Sequence, residues 1–344
     1  MSKPPAGGGS RATGLRIVAR LHAAPPRHNA GAEWMAWSMF RALVERGHDV
    51  SVWLSRYSGD RDPYDLHGVR VIPLAARLDF ASQIKTADVL VSHLENVPSV
   101  ASLARGYGKP FVAICHNTFT PTFRNIASGG CALAVYNSQW MAREAELYFA
   151  EYPKSVRPAD SLIVRPPVFA DDYATKRRGS HITLINCNDA KGGGLLRDLA
   201  KRMPEQKFLA VKGSYGEQAD YTGLDNVEVV EHVPGDQMRE RVYARTRVLL
   251  MPSSYESWGR AGVEAMASGI PVVAHPTPGL CESLGEAGIF LDRGYPQAWV
   301  TVLGKLAEAG EYRLASKRAK ARSAELDPTA ELAAWCDAVE ALRG

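Results

Sequence analysis

Two glutamates in the second half of the chain, Glu256 and Glu264, flank the start of a predicted helix. The helix is predicted over residues 260–268 and follows an apolar run, 247–251, that is typical of a buried strand. A turn that begins a helix beyond a strand's carboxyl end favours phosphate, because unpaired N–H groups and the positive end of the helix dipole face it. Carboxylates only accept hydrogen bonds, so their natural partners are hydroxyl groups, in which sugars are rich. The pattern therefore favours a sugar nucleotide.

A histidine and two polar residues follow a predicted strand in the first half of the chain. His116 comes directly after the apolar run 111–115, and Asn117 and Thr118 begin the polar loop that follows. His22 follows the first predicted strand in the same way. Open α/β sheets bind ligands at the carboxyl ends of their strands. We therefore predict that these residues lie near a bound ligand, with His116 the foremost candidate.

The segment 253–274 resembles the E-x7-E signature of retaining glycosyltransferases of the GT-B fold, family 4, and Glu256 and Glu264 match its two acids. Two glutamates at this spacing are common on surface helices. The surrounding strings are far more specific: Glu256-Ser257-Trp258-Gly259, and Glu-Ala-Met-Ala-Ser-Gly-Ile-Pro-Val-Val at 264–273. The resemblance implies an α/β protein with two Rossmann-like domains facing each other across a cleft.

The resemblance also implies roles for individual residues. Glu256 would bind hydroxyls of the donor sugar, Glu264 the ribose diol, and His116 would contact the donor sugar or align the acceptor. Lys191, the N–H groups near residues 258–260 and the helix dipole would stabilise the departing diphosphate. The predicted catalytic residues are His116, Lys191 and Glu256, the donor-binding residues are Gly31, Asn186, Lys212, Ser257, Trp258, Gly259, Arg260 and Glu264, and the acceptor-side residues are His22, Asn117 and Thr118.

The chain departs from the family pattern in the diphosphate site. Asn186 stands where the family has an arginine, and asparagine lacks the permanent charge and planar fork of donors that arginine offers. Lys212 and Arg260 are candidate substitutes, and we expect an arginine introduced at position 186 to be tolerated. The loop at Gly31 resembles the family's Gly-Gly-Ala-Glu element, which reaches the donor diphosphate across the cleft, with Ala30 in place of the first glycine.

Short β-branched runs alternate with helical stretches, a pattern typical of parallel sheets covered by helices on both faces. Strands are predicted at 15–19, 49–54, 69–74, 88–93, 111–116, 133–137 and 161–165, and then at 181–186, 207–212, 227–233, 247–251, 271–274 and 288–291. We predict a disordered tail (1–14), an acceptor-side domain (15–168), a donor-binding domain (169–328) and a final helix (329–344). In the resembled family the final helix packs back onto the first domain.

Composition limits the compartment and the partners. The 344 residues suffice for two domains, and a formal net charge of +4 is too small to imply nucleic acid. Five cysteines without disulfide or metal-ligand spacing, and no apolar stretch of membrane-spanning length, favour a cytoplasmic protein. Trp34 and Trp37 could touch an acceptor or a membrane surface, but packing against neighbouring structure is the preferred interpretation.

We expect no cofactor besides the nucleoside-diphosphate sugar, which is a co-substrate. No Gly-x-Gly-x-x-Gly follows a predicted strand, which argues against a nicotinamide or flavin dinucleotide. Asp60-Arg61-Asp62 spells the metal-binding D-x-D of the other large glycosyltransferase fold, but it lies away from the donor motifs. We therefore predict transfer without a metal.

The predicted activity is transfer of a hexose or N-acetylhexosamine from a UDP- or GDP-type donor to a hydroxyl of a small molecule, glycan or metabolite. A sugar-nucleotide 2-epimerase or a phosphorylase is one alternative, because both have two-domain folds of this kind. The epimerases lack the Glu-Ser-Trp-Gly string, and a phosphorylase needs a lysine for a pyridoxal cofactor and usually a longer chain. A non-catalytic sugar-nucleotide-binding subunit is the other alternative, and only Asn186 favours it.

Overall fold

The computed structural model describes residues 14–26, 28, 30–56, 61–127, 130–176, 179–214 and 216–343. Most of the predicted tail, residues 1–13, lies outside this range. The strands are β1 (Arg16–Leu21), β2 (Asp49–Leu54), β3 (Tyr64–Leu66), β4 (Val69–Ile72), β5 (Val89–His93), β6 (Phe111–Cys115), β7 (Leu133–Tyr136), β8 (Asp160–Ile163), β9 (His181–Ile185), β10 (Phe208–Val211), β11 (Val227–Val230), β12 (Thr246–Met251), β13 (Val272–Ala274) and β14 (Ile289–Phe290). The helices are α1 (Gly31–Glu45), α2 (Phe80–Thr86), α3 (Val97–Tyr107), α4 (Thr120–Ala127), α5 (Gln139–Phe149), α6 (Ala170–Tyr173), α7 (Gly193–Arg202), α8 (Met238–Arg241), α9 (Arg260–Ala267), α10 (Pro278–Leu284), α11 (Pro296–Ala307), α12 (Ala309–Glu325) and α13 (Thr329–Glu340).

The strands form two separate sheets, and each sheet reverses its strand order near the middle. The first sheet has the order β3-β4-β2-β1-β5-β6-β7-β8 and the second has the order β11-β10-β9-β12-β13-β14. Within the described residues, neighbouring strands are parallel except for β3 and β4. The reversals lie between β1 and β5 and between β9 and β12. Such switch points are where open α/β sheets bind ligands.

Apolar cores cover both faces of each sheet, because successive residues of a strand point to opposite faces. In β1, Ile17 belongs to the core that includes α1, whereas Val18 belongs to the core on the other face. In β12, Leu249 and Leu250 divide between two cores in the same way. Burial on both faces explains why the strands read as continuous apolar runs in the sequence.

The predicted fold class is confirmed by these two sheets. Each predicted strand is present, and its ends differ from the prediction by at most three residues. β3 is not predicted from the sequence, because its three residues are too few to show a period. The polar stretch 171–180 between the two sheets is not all loop, because α6 covers its start and buries Tyr173 in a core of the second domain. Residues 177 and 178 of this stretch lie outside the described range.

The last helix, α13, packs on the first domain. Leu332, Trp335 and Val339 of α13 belong to the same apolar cluster as residues of α1 and β1. Trp335 is fully buried, and its indole N–H donates a hydrogen bond to the backbone oxygen of Met39 at 3.0 Å. Because α12 belongs to the second domain, the chain crosses between the domains a second time before α13.

We expect Trp335→Ala to lower the free energy of unfolding of the first domain by about 3 to 5 kcal/mol, because it empties a fully buried site. Urea unfolding followed by circular dichroism measures the change. Ala334→Ser, at an exposed position of the same helix, is the control and should shift the midpoint little. A loss below about 1 kcal/mol in Trp335→Ala would show that α13 contributes little to this domain.

The two tryptophans of α1 pack within the protein. Trp37 is buried in the core of the first domain. Trp34 faces the second domain: a Cβ added to Gly235 would lie 2.5 Å from its ring, and the guanidinium carbon of Arg260 lies 5.6 Å from the ring centroid. Both contacts agree with the packing interpretation of these residues. None of the described helices combines the length and the apolar content that crossing a membrane requires.

Candidate active site

Three charged side chains follow adjacent strands at the switch point of the second sheet. Lys212, Lys191 and Glu256 come after β10, β9 and β12, and these strands are parallel neighbours. All three residues line one pocket, which is also lined by Ala30 and Gly31 of the first domain. The pocket therefore lies between the domains, at the carboxyl ends of the strands of the second sheet.

Lys191 and Glu256 form an ion pair in this pocket. The Lys191 ammonium contacts Glu256 Oε1, and Ser253 Oγ donates a hydrogen bond to the same oxygen at 2.9 Å. The side chains of Lys191 and Glu256 are 21% and 16% exposed, so a ligand can reach both. The two residues predicted to act on the diphosphate and on the sugar therefore contact each other directly.

Two helices begin at the pocket. Arg260 is the first residue of α9 and follows Gly259, whose φ of 85° lies in the left-handed region that favours glycine. Gly31 is the first residue of α1, and a Cβ added there would meet no atom within 4 Å. This open space lets a ligand approach the backbone closely. Because the first N–H groups of a helix lack intrahelical partners, both helix ends suit an anion such as a diphosphate.

Glu264 belongs to a buried network of hydrogen bonds beside the pocket. Its Oε1 accepts from Arg260 Nε at 2.7 Å, and its Oε2 accepts from the Tyr243 hydroxyl at 2.5 Å. Arg260 also donates to the Tyr173 oxygen at 2.8 Å. Burial raises the pKa of Tyr243, so this tyrosine keeps its proton and acts as a donor. Glu264 lines the pocket but is only 7% exposed, so a ribose would add to bonds that the carboxylate already accepts.

Asn186 occupies a backbone conformation that suits asparagine. Its φ is 64°, in the left-handed region that arginine adopts less readily. Its side chain packs on Gly213, where an added Cβ would lie 2.3 Å from the amide, and its Oδ1 accepts a hydrogen bond from Gln218 Nε2 at 3.3 Å. A longer side chain would require the loop to move. The expectation that arginine is tolerated at this position stays a prediction, and an arginine here would have to displace the contact with Gly213.

Lys212 and Arg260 differ in how well they could replace the missing arginine. Lys212 pairs with Glu231 at 2.6 Å and its side chain is 37% exposed, so solvent screens its charge. Arg260 is buried and lines the pocket, and its Nη1 has no hydrogen-bond partner among the described residues. The unused donor makes Arg260 the better candidate, although its Nε is committed to Glu264.

Ser257 and Trp258 use their side chains within the protein. Ser257 Oγ donates to the backbone oxygen of His116 at 2.6 Å and accepts from Asn137 Nδ2 at 2.8 Å. Trp258 is 2% exposed. A donor would therefore meet the backbone groups of these two residues. The bonds of Ser257 also tie the loop that carries Glu256 to the first domain.

Asn117 and Thr118 hold the loop after β6. Asn117 Oδ1 accepts from the Phe119 backbone N–H at 3.1 Å and from Thr122 Oγ1 at 2.7 Å. The Thr118 backbone N–H donates to the Tyr255 hydroxyl at 2.8 Å. The structure thus brings the predicted acceptor-side loop against the predicted donor loop, and both Asn117 and Thr118 stay partly exposed.

His22 is not available as a direct acceptor contact. It is 8% exposed, and its ring nitrogens lie 2.8 Å from Glu33 Oε1 and 3.1 Å from His93 Nε2. The acceptor-side role predicted for His22 is therefore contradicted. Glu33 and His93 are functional candidates that the sequence reading misses. The sequence could have indicated His93, because it lies at the carboxyl end of a predicted buried strand, as His116 does.

One group of possible metal ligands occurs in the described part of the chain: His22, His28 and Glu33, whose ligand atoms lie within 4.8 Å of one another. His22 Nε2 and Glu33 Oε1 are 2.8 Å apart. Two ligands of a tetrahedral ion with bonds of ~2.0 Å lie about 3.3 Å apart. The observed separation is that of a hydrogen bond, so we assign no cation to this group. Asp60 of the D-x-D string lies outside the described residues.

Two family models match the chain. Residues 29–185 match the model described as Glycosyltransferase Family 4, and residues 195–309 match the model described as Glycosyl transferases group 1. The chain belongs to glycosyltransferase family 4. The resemblance drawn from the Glu256 and Glu264 signature is thereby confirmed.

Curated relatives of this family 4 protein align over part of their length. The D-inositol 3-phosphate glycosyltransferase of Corynebacterium kroppenstedtii is 40% identical over 150 residues, which cover 41% of this chain and 28% of that protein. The protein of the same name from Salinispora tropica is 29% identical over 169 residues, which cover 48% of this chain and 30% of that protein. The aligned parts therefore span less than a third of these relatives.

Solved structures match the family 4 protein over nearly its whole length. HepE from Anabaena in complex with UDP-glucose has a TM-score of 0.76 at 18% identity, with 95% of this chain and 100% of that chain covered. Sucrose-phosphate synthase from Thermosynechococcus elongatus has a TM-score of 0.74 at 15% identity, with 95% and 99% covered. At these identities the likeness shows the fold, and the predicted GT-B architecture is confirmed.

Proposed function

We propose that this protein is a retaining glycosyltransferase that moves a sugar from a nucleoside-diphosphate sugar to a hydroxyl group of an acceptor. The observation that carries the proposal is the Lys191–Glu256 ion pair in a pocket where α1 and α9 begin. A cation and two helix N-termini suit a diphosphate, and a carboxylate beside them suits sugar hydroxyls. The curated relatives, which are named glycosyltransferases, support it.

The pocket can stabilise the charge that this reaction develops. When the bond between the sugar C1 and the diphosphate oxygen breaks, negative charge grows on the leaving diphosphate. The Lys191 ammonium and the N–H groups at the start of α9 lower the energy of that charge. Glu256 orients the sugar by accepting hydrogen bonds from its hydroxyls, and Arg260 and Tyr243 hold Glu264 beside the ribose.

A uridine donor is the first to test, because HepE, which has the same fold, is described in complex with UDP-glucose. The acceptor is a small molecule, glycan or metabolite that carries a hydroxyl group. The names of the curated relatives make a phosphorylated cyclitol a reasonable first acceptor. Five free cysteines, four of them buried, support the prediction of a cytoplasmic protein.

We expect transfer to proceed in excess EDTA and to retain the anomeric configuration of the donor, because Lys191 and the helix ends can take the metal's role at the diphosphate. A panel of sugar nucleotides and hydroxyl acceptors, followed by the anomeric proton coupling in NMR, tests both parts. Lys191→Ala is the control, because any product that this variant still forms at the parental rate arises outside this pocket. Activity that EDTA abolishes and magnesium restores, or a product of inverted configuration, would contradict the proposal.

A non-catalytic sugar-nucleotide-binding subunit is the second candidate. Two observations favour it: Asn186 replaces a charged residue, and Lys191 is already paired with Glu256. The same panel separates the candidates. Sugar-nucleotide binding without hydrolysis or transfer would favour the subunit, whereas turnover that Lys191→Ala abolishes would favour the enzyme.

A further inference from the structure

Four side chains form a hydrogen-bonded row that runs from α1 to His116, after β6. Glu33 Oε1 lies 2.8 Å from His22 Nε2, His22 Nδ1 lies 3.1 Å from His93 Nε2, and His93 Nδ1 lies 2.9 Å from His116 Nε2. The three histidines stand at the carboxyl ends of β1, β5 and β6, which are adjacent in the first sheet. Glu33, His22 and His93 are buried, whereas His116 is partly exposed. These four residues are called the histidine row below.

The carboxylate at one end of the histidine row places a hydrogen on His22 Nε2, and with His22 uncharged the positions of the other ring hydrogens follow in turn. A carboxylate only accepts hydrogen bonds, so His22 Nε2 carries a hydrogen. An uncharged His22 then has a bare Nδ1, which accepts from His93 Nε2. By the same logic His93 Nδ1 is bare and accepts from His116 Nε2. His116 therefore carries its hydrogen on Nε2 and has a bare Nδ1.

The pKa shifts of three residues in the row agree with the protonation states assigned above. Burial lowers the pKa of His93 well below its usual range, and burial lowers the pKa of His116 to about 4. Burial would raise the pKa of Glu33, but the hydrogen bond from His22 acts in the opposite direction, and the pKa is lowered overall. Near pH 7, His93 and His116 are thus uncharged and Glu33 is a carboxylate.

We propose that the histidine row is a relay that takes up the proton of the acceptor hydroxyl, an inference that rests on the proposed function. The hydroxyl oxygen bonds to C1 of the sugar, the diphosphate leaves with the electrons of its C1–O bond, and the hydroxyl proton passes to His116 Nδ1. The Nε2 hydrogen of His116 then moves to His93 Nδ1, and the Nε2 hydrogen of His93 moves to His22 Nδ1. The proton ends as a second N–H on His22, whose positive charge pairs with Glu33.

The relay explains how a weak base can take part at neutral pH. A group with a pKa near 4 is poorly matched to this task when it acts alone. The histidine row instead places the positive charge on His22, 2.8 Å from the buried Glu33 carboxylate. The row also lies next to the donor site, since Ser257, the neighbour of Glu256, donates to the backbone oxygen of His116 at 2.6 Å. The competing route is direct transfer of the proton to a phosphate oxygen of the donor.

Kinetics of substituted proteins separate the two routes. Glu33→Gln removes the charge that holds the proton on His22, so we expect kcat to fall at least about tenfold with KM changed less than about twofold. Glu340→Gln is the matched control, because Glu340 Oε1 bonds His48 Nε2 at 3.0 Å outside the histidine row, and it should leave kcat unchanged. A Glu33→Gln protein with the parental kcat would overturn the relay and favour the phosphate route.

A second substitution tests whether the residues act as one unit. His93→Phe interrupts the histidine row at its middle. We expect the double variant Glu33→Gln/His93→Phe to be no slower than the slower single variant, because either substitution alone already stops proton transfer along the row. Losses that multiply in the double variant would show independent structural effects and would overturn the relay.

Nitrogen-15 spectra of the histidine rings test the polarity without any activity. We expect His22, His93 and His116 to be protonated on Nε2 at pH 7, with each signal assigned by its loss on substitution. His48 is an internal reference, since Leu15 N donates to its Nδ1 at 3.0 Å. Hydrogen on Nδ1 of His93 or His116 would overturn the relay even in an active enzyme. If the tautomers are as expected but the protein transfers sugar from none of the donors, the proposed function fails and the polarity of the row stands.

Discussion

Glu256→Gln is expected to lower turnover about 10- to 150-fold. The change removes the charge of a hydrogen bond to the sugar, which costs ~1.5 to 3 kcal/mol, and each 1.4 kcal/mol is a factor of ten. Because glutamine keeps the shape of the side chain, the hydrogen bond from Ser253 Oγ can persist and the loop should hold its fold. Steady-state kinetics with a saturating donor measures the effect.

The same variant should bind the nucleoside diphosphate no more weakly than the parent. Because Glu256 pairs with Lys191, it competes with a diphosphate for the ammonium group, and glutamine is a weaker competitor because it is uncharged. Calorimetric titration with UDP measures this affinity. Glu231→Gln, which removes the charge of the exposed partner of Lys212, is the control and should change neither quantity. Turnover within twofold of the parent, or UDP affinity reduced tenfold in Glu256→Gln, would contradict the roles given to the ion pair.

Long apolar runs made most of the fold predictable. β6 and β10 are buried on both faces, so their sequences are continuously apolar and end at polar loops. Gly269 follows α9 with a φ of 68°, and this left-handed residue and the proline two positions later mark the helix end from the sequence alone. Local chemistry of this kind is sufficient to place Glu256 in a turn and Glu264 in a helix.

The partners of the site residues could not be predicted, because they depend on strand order and on how the domains meet. The Lys191–Glu256 contact joins the loops after β9 and β12, which are neighbours in space but far apart in the chain. The same reason hides the row of His22, His93 and His116, since no local pattern states that β1, β5 and β6 are adjacent. The left-handed backbone of Asn186 was likewise not readable from its neighbours.

Lys191→Ala is expected to weaken binding of UDP about 10- to 150-fold, the range for loss of one charged hydrogen bond. Asn186 cannot take over, because it carries no charge and its side chain is held against Gly213. The effect also includes the Glu256 carboxylate, which loses its cation and then repels the diphosphate. Calorimetric titration with UDP measures the loss. Lys212→Ala is the matched control, because Lys212 lines the same pocket but is exposed and paired elsewhere, and its loss should stay below about threefold.

The double variant Lys191→Ala/Glu256→Gln separates attraction to Lys191 from repulsion by Glu256. Once the carboxylate is gone, the Lys191→Ala substitution should cost less UDP affinity than it does in the parent protein, because only the attraction is lost. Equal losses of UDP affinity in the parent protein and in Glu256→Gln would mean that the Glu256 carboxylate does not repel the diphosphate. If Lys191→Ala leaves UDP affinity unchanged and Arg260→Lys lowers it, the cation that binds the diphosphate is Arg260. Its buried Nη1, which has no hydrogen-bond partner in the described part of the chain, would then be the donor.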